Sequence, residues 1–231
     1  MYEECLHNHT IVYICDSLDL SITEVYEAYN TVSSIKAKDD FLMEVTKELN
    51  GKNLNTQTKQ GKRELYKTAF TYWIVCEGTF FFSGFAMLLA LSDKIPGIAE
   101  QIQYTLRDES VHIKFGTMLL LKLQEQYPEI MDKSFEKELT DVLQKAVELE
   151  ITYAQDVLPR GILGLNSEMF VDYMQFVANR RLENLNMEFR YDSDHNPFPW
   201  LSEIIDLRKQ KNFFETRVTD YQDESALIDD F

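Results

Sequence analysis

Apolar residues along this chain recur at spacings of three and four, and the every-second-residue alternation of a half-buried strand is almost absent. The pattern predicts a first helix over roughly Tyr2 to Leu18, closing before Asp19. Ser21 and Glu24 read as a capping box, each side chain satisfying a free amide at the helix start, and open a second helix through Tyr29. Asn50 to Gly61 (NGKNLNTQTKQG) reads as a polar loop. A long helix is expected over Lys62 to Leu91, and Lys94 to Gly97 turns the chain through Pro96. The next helix runs from Ile98 to Gln126, with Pro128 just past its end. Ser134 to Asp156 is amphipathic, Leu158 to Asn166 (LPRGILGLN) is a Gly/Pro turn, and Ser167 to Met187 is the last strong helix. No internal repeat of solenoid period is present. The pattern therefore predicts an all-α body over residues 1–212 and a separate tail over 213–231.

Composition narrows this picture. A chain of 231 residues, 45% hydrophobic and 27% charged, has the size and balance of one globular domain with a sizeable core. Its net charge of −16 argues against nucleic acid as a direct partner and against adsorption to anionic membranes. The longest apolar run, Phe80 to Leu91, is too short to span a bilayer and reads as a buried helix. Three cysteines, with no C-x-x-C pair, do not make a disulfide framework. With no secretory signal pattern, the expected location is the cytoplasm. The end of the chain, TDYQDESALIDDF, is acidic, and its apolar Ala226, Leu227, Ile228 and Phe231 read either as anchors for a groove on a partner or as part of a solvated tail.

The candidate chemistry lies in the carboxylates and imidazoles. Glu109 and His112, in LRDESVHIKF, are three apart and share one helical face. The same pair recurs at Glu4 and His7, so two of the four histidines fall in such pairs. Glu77 heads the apolar run EGTFFFSGFAMLLA, where an unpaired carboxylate would be costly. Its alternatives are a metal, a helix end or a lysine partner. Two Glu-x-x-His pairs with further glutamates on other helices form the ligand set of a dinuclear site inside a helical bundle, and such donors suit iron or manganese. Phe81 and Phe85, one and two turns beyond Glu77, read as core or as the dry wall of an oxygen pocket. Asp108 is placed for a hydrogen bond to a ligand. His9 and His195 read as ordinary structural or surface residues.

Glu4-x-x-His7, Glu77-GTFFFSGF, Arg107-Asp108-Glu109-x-x-His112, AVELE…LPRGILGLN, NPFPW and NFFETRVTDYQ occur in that order. Together they resemble the small, radical-generating subunit of class I ribonucleotide reductase over nearly the whole chain. The resemblance implies a ferritin-like helical bundle, usually a homodimer, whose dimetal site reacts with oxygen. It also implies delivery of an oxidising equivalent to a separate large subunit. The metal ligands it implies are Glu4, His7, Glu77, Glu109 and His112. Asp108 would serve the internal relay and Tyr221 the relay at the subunit junction, and the residues after Tyr221 would dock on the large subunit. In the best-known members a radical tyrosine stands four residues after the first histidine, where this chain has Ile11. Tyr13 does not replace it, since two residues along a helix is about 200° of rotation. The chain therefore resembles the tyrosine-lacking subgroup, which implies a mixed manganese–iron centre, with a di-iron centre as the alternative. Tyr104 is the candidate for carrying electrons during activation.

The family also has one further ligand, an Asp on a helix upstream of the first Glu-x-x-His, and a relay Trp further upstream. Met1 stands just ahead of Glu4, so the expectation is a bundle lacking those helices. A second polypeptide supplying them, an incomplete gene product, or a different assembly between protomers would each account for this. The isolated chain is then expected to expose an apolar groove and to bind metal weakly. Two other functions suit the same residues: a stand-alone ferritin-like oxidase or oxygenase, and an inactive chain that occupies the large subunit through its tail.

Overall fold

The computed structural model describes residues 2–47, 54–162, 164–188, 190–193 and 195–201. The segment after 201, with Tyr221 and the expected 213–231 tail, lies outside the described residues, as does part of the Asn50–Gly61 loop. Eight α-helices are present among the described residues: α1 Tyr2–Ser17, α2 Ile22–Thr31, α3 Ser33–Thr46, α4 Lys59–Phe70, α5 Phe81–Leu89, α6 Pro96–Gln126, α7 Lys133–Val157 and α8 Ser167–Asn184. A π-helical segment, Thr71–Phe80, joins α4 to α5 without a break in the rod. No β-strand occurs among the described residues; a single isolated bridge, Ile162 to Leu165, closes the Gly/Pro turn.

Local chemistry sets four of the helix starts. The Ser21 hydroxyl accepts from the Glu24 amide at 3.3 Å, Thr58 from Gly61 at 3.0 Å, Asp132 from Phe135 at 3.0 Å and Asn166 from Met169 at 3.0 Å. Two differences from the sequence pattern stand out. The expected Lys62 start moves back to Lys59, because Thr58 is the cap. Helix α8 ends at Asn184 rather than Met187, and Asn186 then takes a positive φ of 57° that turns the chain away.

Helix α3 is a larger difference, since the pattern leaves the stretch between Tyr29 and Asn50 unassigned. Its cap position is Val32, which makes no side-chain cap bond, so no start signal is written there. Tertiary contact forms it instead: Ala37, Phe41 and Leu42 pack on the core. Lys38 reaches from α3 to the fully buried Glu150 on α7, and the Ser83 hydroxyl on α5 donates to the same carboxylate. The Lys38 ammonium also lies 4.7 Å from the Phe80 ring centroid and 4.5 Å from that of Tyr153.

The rod from Lys59 to Leu89 is the centre of the bundle. It is long and apolar enough by length and composition to cross a membrane, while most of its Phe80–Leu89 portion is buried, in line with the buried helix the sequence predicts there. Its most apolar window is 67% buried within the protein, the signature of a core helix. The π segment is a correction, since a uniform α-helix was expected there. The Thr79 hydroxyl donates to the Ile74 carbonyl five residues back, at 2.7 Å, in keeping with the wider i→i+5 winding. Across the bundle, the Trp73 ring lies so close to Gly116 of α6 that a Cβ there would come within 2.2 Å of Trp73 Cγ.

Downstream of α8 the backbone of the chain is gathered by the Asn179 side chain. Asn179 donates to the carbonyls of Tyr191 (2.8 Å) and Ser193 (3.0 Å) and accepts from the amides of Arg190 (3.2 Å) and Tyr191 (3.1 Å). The fully buried Phe198 then inserts between Phe170 and Tyr173, with ring centroids 5.2 and 5.0 Å away.

Candidate metal centre

Helices α1, α6 and the π segment bring the predicted carboxylates and imidazoles together. One donor atom each from Glu4, Glu77, Glu109 and His112 lies within 4.8 Å of the others. His7 joins them through Nδ1, which is 3.0 Å from Glu109 Oε1 and 3.6 Å from Glu4 Oε2. His112 Nδ1 is 3.2 Å from Glu109 Oε2, 3.3 Å from Glu4 Oε1 and 3.8 Å from Glu77 Oε1. Glu4 and Glu109 thus each face both imidazoles, the arrangement two adjacent cations sharing carboxylates would use.

Both imidazoles turn Nδ1 inward and Nε2 outward. His7 Nε2 lies 3.3 Å from Asp108 Oδ2, and His112 Nε2 lies 2.8 Å from Glu3 Oε2. When Nε2–H donates to the outer carboxylate, the Nδ1 lone pair is left pointing at the cluster, which is the tautomer a metal ligand needs. Glu3 was not singled out by the sequence pattern; its only signal is its place beside Glu4 on α1.

The electrostatics describe a site short of positive charge. Glu109 has no exposed surface, and burial, reinforced by Glu77 and Glu4, pushes its carboxyl up to about 7 against the opposing pull of His112 and His7. Burial also raises Glu77, partly offset by a hydrogen bond from Tyr72. Burial works against a charged His112, but the Glu3 hydrogen bond and the Glu109 and Glu77 carboxylates outweigh it and raise its pKa. His7 Nδ1, Glu77 Oε2 and Glu109 Oε1 are buried with no aligned hydrogen-bond partner. Buried oxygens and a nitrogen left this way fit a metal: carboxylate and imidazole donors of this kind suit iron and manganese, which would complete the missing bonds.

The remaining candidates take different places. Ile11 lies on α1 at 43% exposure, and Tyr13 is 68% exposed. Tyr104 stands on the exposed side of α6, with its hydroxyl donating to Glu100 at 3.3 Å. Phe85 is buried and Phe81 is 37% exposed; they meet edge to face at 6.1 Å. The α-helical spacing that aligned them with Glu77 does not carry across the π segment, so a shared face with Glu77 does not follow from sequence separation. Tyr72, which the sequence pattern did not single out, acts directly on Glu77. An α-helical count gave no reason to pair residues five apart.

A helical bundle that converges two Glu-x-x-His pairs and a further glutamate on one buried cluster defines the ferritin-like class of metal-site proteins. Within that class, the chain belongs to the ribonucleotide reductase small-chain family, whose model matches residues 1–197. It is 49% identical over 228 residues to the ribonucleoside-diphosphate reductase subunit beta of Chlamydia pneumoniae, covering 98% of this chain and 66% of that protein. It is 27% identical over 235 residues to the corresponding subunit of Treponema pallidum, covering 99% of this chain and 65% of that one. The chain thus spans about two thirds of the length of these relatives. Among solved structures it resembles one described as a class I ribonucleotide reductase from Bacillus halodurans, with a TM-score of 0.77 and 26% identity over 88% of this chain and 71% of that one. The ribonucleotide reductase R2 subunit from Clostridium botulinum shares the fold, with a TM-score of 0.79 and 22% identity over 88% of this chain and 63% of that one. Membership of the family implies a dinuclear metal centre.

Proposed function

We propose that this chain acts as the small subunit of a class I ribonucleoside-diphosphate reductase, an oxidoreductase that works only with its large subunit. The observation that carries this reading is the buried cluster itself, with donor atoms on Glu77, Glu109 and His7 left without hydrogen-bond partners. Glu4, His7, Glu77, Glu109 and His112 would hold the dinuclear centre. When bound, such a centre supplies oxygen-driven oxidation, and its oxidising equivalent serves ribonucleotide reduction in the large subunit. Asp108 and Glu3 hold the imidazoles with Nδ1 inward. In this reading Asp108 begins the internal relay, Tyr221 ends it at the subunit junction, and the residues after Tyr221 dock on the large subunit. Tyr104 carries electrons during activation, and Phe81 and Phe85 keep the oxygen side dry.

Ile11 in place of a radical tyrosine supports a manganese–iron pair over a di-iron pair. The three cysteines among the described residues are free, which supports a reducing, cytoplasmic setting. A homodimer is the assembly the family favours.

Helix α1 buries only Cys15 and leaves Tyr2, Leu6 and Tyr13 exposed. Beside it, Val111, Phe115 and Met118 form an exposed apolar stripe on α6. A helical segment laid over these side chains would cover them and bring the family's further Asp ligand.

The test is metal analysis by mass spectrometry of the protein purified from its native source with whatever co-purifies. The expected result is about one manganese and one iron per chain. Two irons would keep the function and replace the manganese–iron assignment. A metal-free complex would overturn the enzymatic reading.

A further inference from the structure

A cavity of about 420 Å³ opens between α5, α6 and α8, on a different face of α6 from Glu109 and His112. The chain carries a net charge of −16, yet among the described residues the lining of this cavity contains Lys114, Arg180 and Arg181 and no carboxylate. Arg180 has one long ion pair, 4.0 Å from Nε to Glu183, and its guanidinium lies 6.0 Å from the Phe176 ring centroid. Lys114 makes no ion pair among the described residues. The local sign is opposite to that of the molecule.

Arg181 is the centre of the site. Its Nε donates to the Gly78 carbonyl at 2.7 Å, and its guanidinium lies 4.6 Å from the Phe82 ring centroid. No carboxylate meets it among the described residues, and burial pushes it down to about 10. Bracing Gly78 occupies Nε and leaves the forked pair of terminal nitrogens unused. A guanidinium partly withdrawn from water without a counter-ion is costly, and its planar fork matches the two oxygens of a carboxylate or phosphate. A second observation points the same way. Thr117 Oγ1, also on the cavity wall, is buried with no hydrogen-bond partner. Part of the wall is aromatic, with Phe82, Tyr173 and Phe176, beside the aliphatic Ile113 and Val177 and the polar Ser110 and Asn184. Such walls accept an organic body, and the volume lies within the usual range for small-ligand pockets.

We propose that this cavity is a binding site for a small organic oxyanion, a carboxylate or phosphate carried on a flat apolar body. The oxyanion meets Arg181, Lys114 and Thr117, and the body lies against the aromatic wall. Because Gly78 follows Glu77, Arg181 connects this site by one hydrogen bond to the backbone that carries a candidate ligand.

Calorimetric titration of the full chain, in metal-free buffer of low ionic strength, tests the site with phenyl phosphate, benzoate and inorganic phosphate. Saturable one-to-one binding of phenyl phosphate or benzoate is expected, tighter than that of inorganic phosphate because of the aromatic wall. The tighter of the two organic probes identifies the oxyanion. Lys114→Glu and Thr117→Val should each weaken binding about tenfold or more, while Lys122→Glu, the same charge change elsewhere on α6, should leave it unchanged. Arg181→Lys should also weaken it, but this variant removes the Gly78 bond as well. Lys114 and Thr117 are therefore the deciding positions, because their variants leave that bond in place. Absence of saturable binding up to about 10 mM, or binding that Lys114→Glu and Thr117→Val leave intact, would overturn the assignment.

Discussion

His7 and His112 face each other across the buried carboxylate of Glu109, with ring centroids 6.2 Å apart and both Nδ1 atoms turned toward it, at 3.0 and 3.2 Å. The pairing of each histidine with a glutamate three residues before it is local, but the meeting of the two pairs joins α1 to α6. Glu109→Ala is therefore expected to abolish metal binding at both positions. Asp108→Ala, which removes the outer partner of His7 alone, should weaken it by about 10- to 100-fold. Titration of the full chain with Mn(II) and Fe(II), read by metal retained after desalting, distinguishes the two. Equal effects from both variants would contradict the shared role given to Glu109.

The approach of Trp73 to α6 gives a prediction about packing. A Cβ at Gly116 would collide with the Trp73 side chain, so Gly116→Ala should destabilise the fold by about 1–3 kcal/mol. Gly84 on α5 has nothing within 4 Å of its would-be Cβ. There the same change should stabilise by about 0.5–1 kcal/mol, by removing a flexible residue from a helix. Urea unfolding of the two variants should give shifts of opposite sign.

Lys38 and Glu150 form the ion pair that fastens α3 to α7. Lys38→Met leaves a buried carboxylate unpaired and should cost about 3–5 kcal/mol. The double variant Lys38→Met/Glu150→Leu should recover most of that loss, because neither charge then remains to be desolvated. A double-mutant cycle measures the coupling, and additive losses would show that the pair does not act as a unit.

Asp132 gives a pH prediction. The Phe135 amide first, then Arg63, hold its carboxyl down at about 2, below the usual 3.8. A depressed acid stabilises the fold above its unfolded pKa, and that contribution fades as pH falls from about 4 toward 2. Asp132→Ala should thus lower the melting temperature at pH 6, with a smaller difference at pH 2.5. A difference that stays constant over this range would show that the charge of Asp132 is not what holds the cap.

Much of this protein was legible in its sequence because the relevant signals are local. Ser21 caps its helix with its own side chain and was readable as a capping box, whereas Thr58, which caps α4 the same way, lies in the stretch that reads as a loop. The two Glu-x-x-His pairs present both members on one helical face whatever lies beyond. Three features were decided only by tertiary structure. Helix α3 has no written start and exists because Lys38, Phe41 and Leu42 find α7 and the core. The π segment holds the deepest part of the rod, and Thr79 and the Arg181 brace on the Gly78 carbonyl engage it there, so an α-helical count misplaces Phe81 and Phe85 relative to Glu77. The orientation of the imidazoles depends on Glu3 and Asp108 meeting histidines 109 and 101 residues away in sequence. Sequence periodicity reports which residues share a face of one helix; which faces meet is set by packing between helices, and the metal cluster lies where those faces meet.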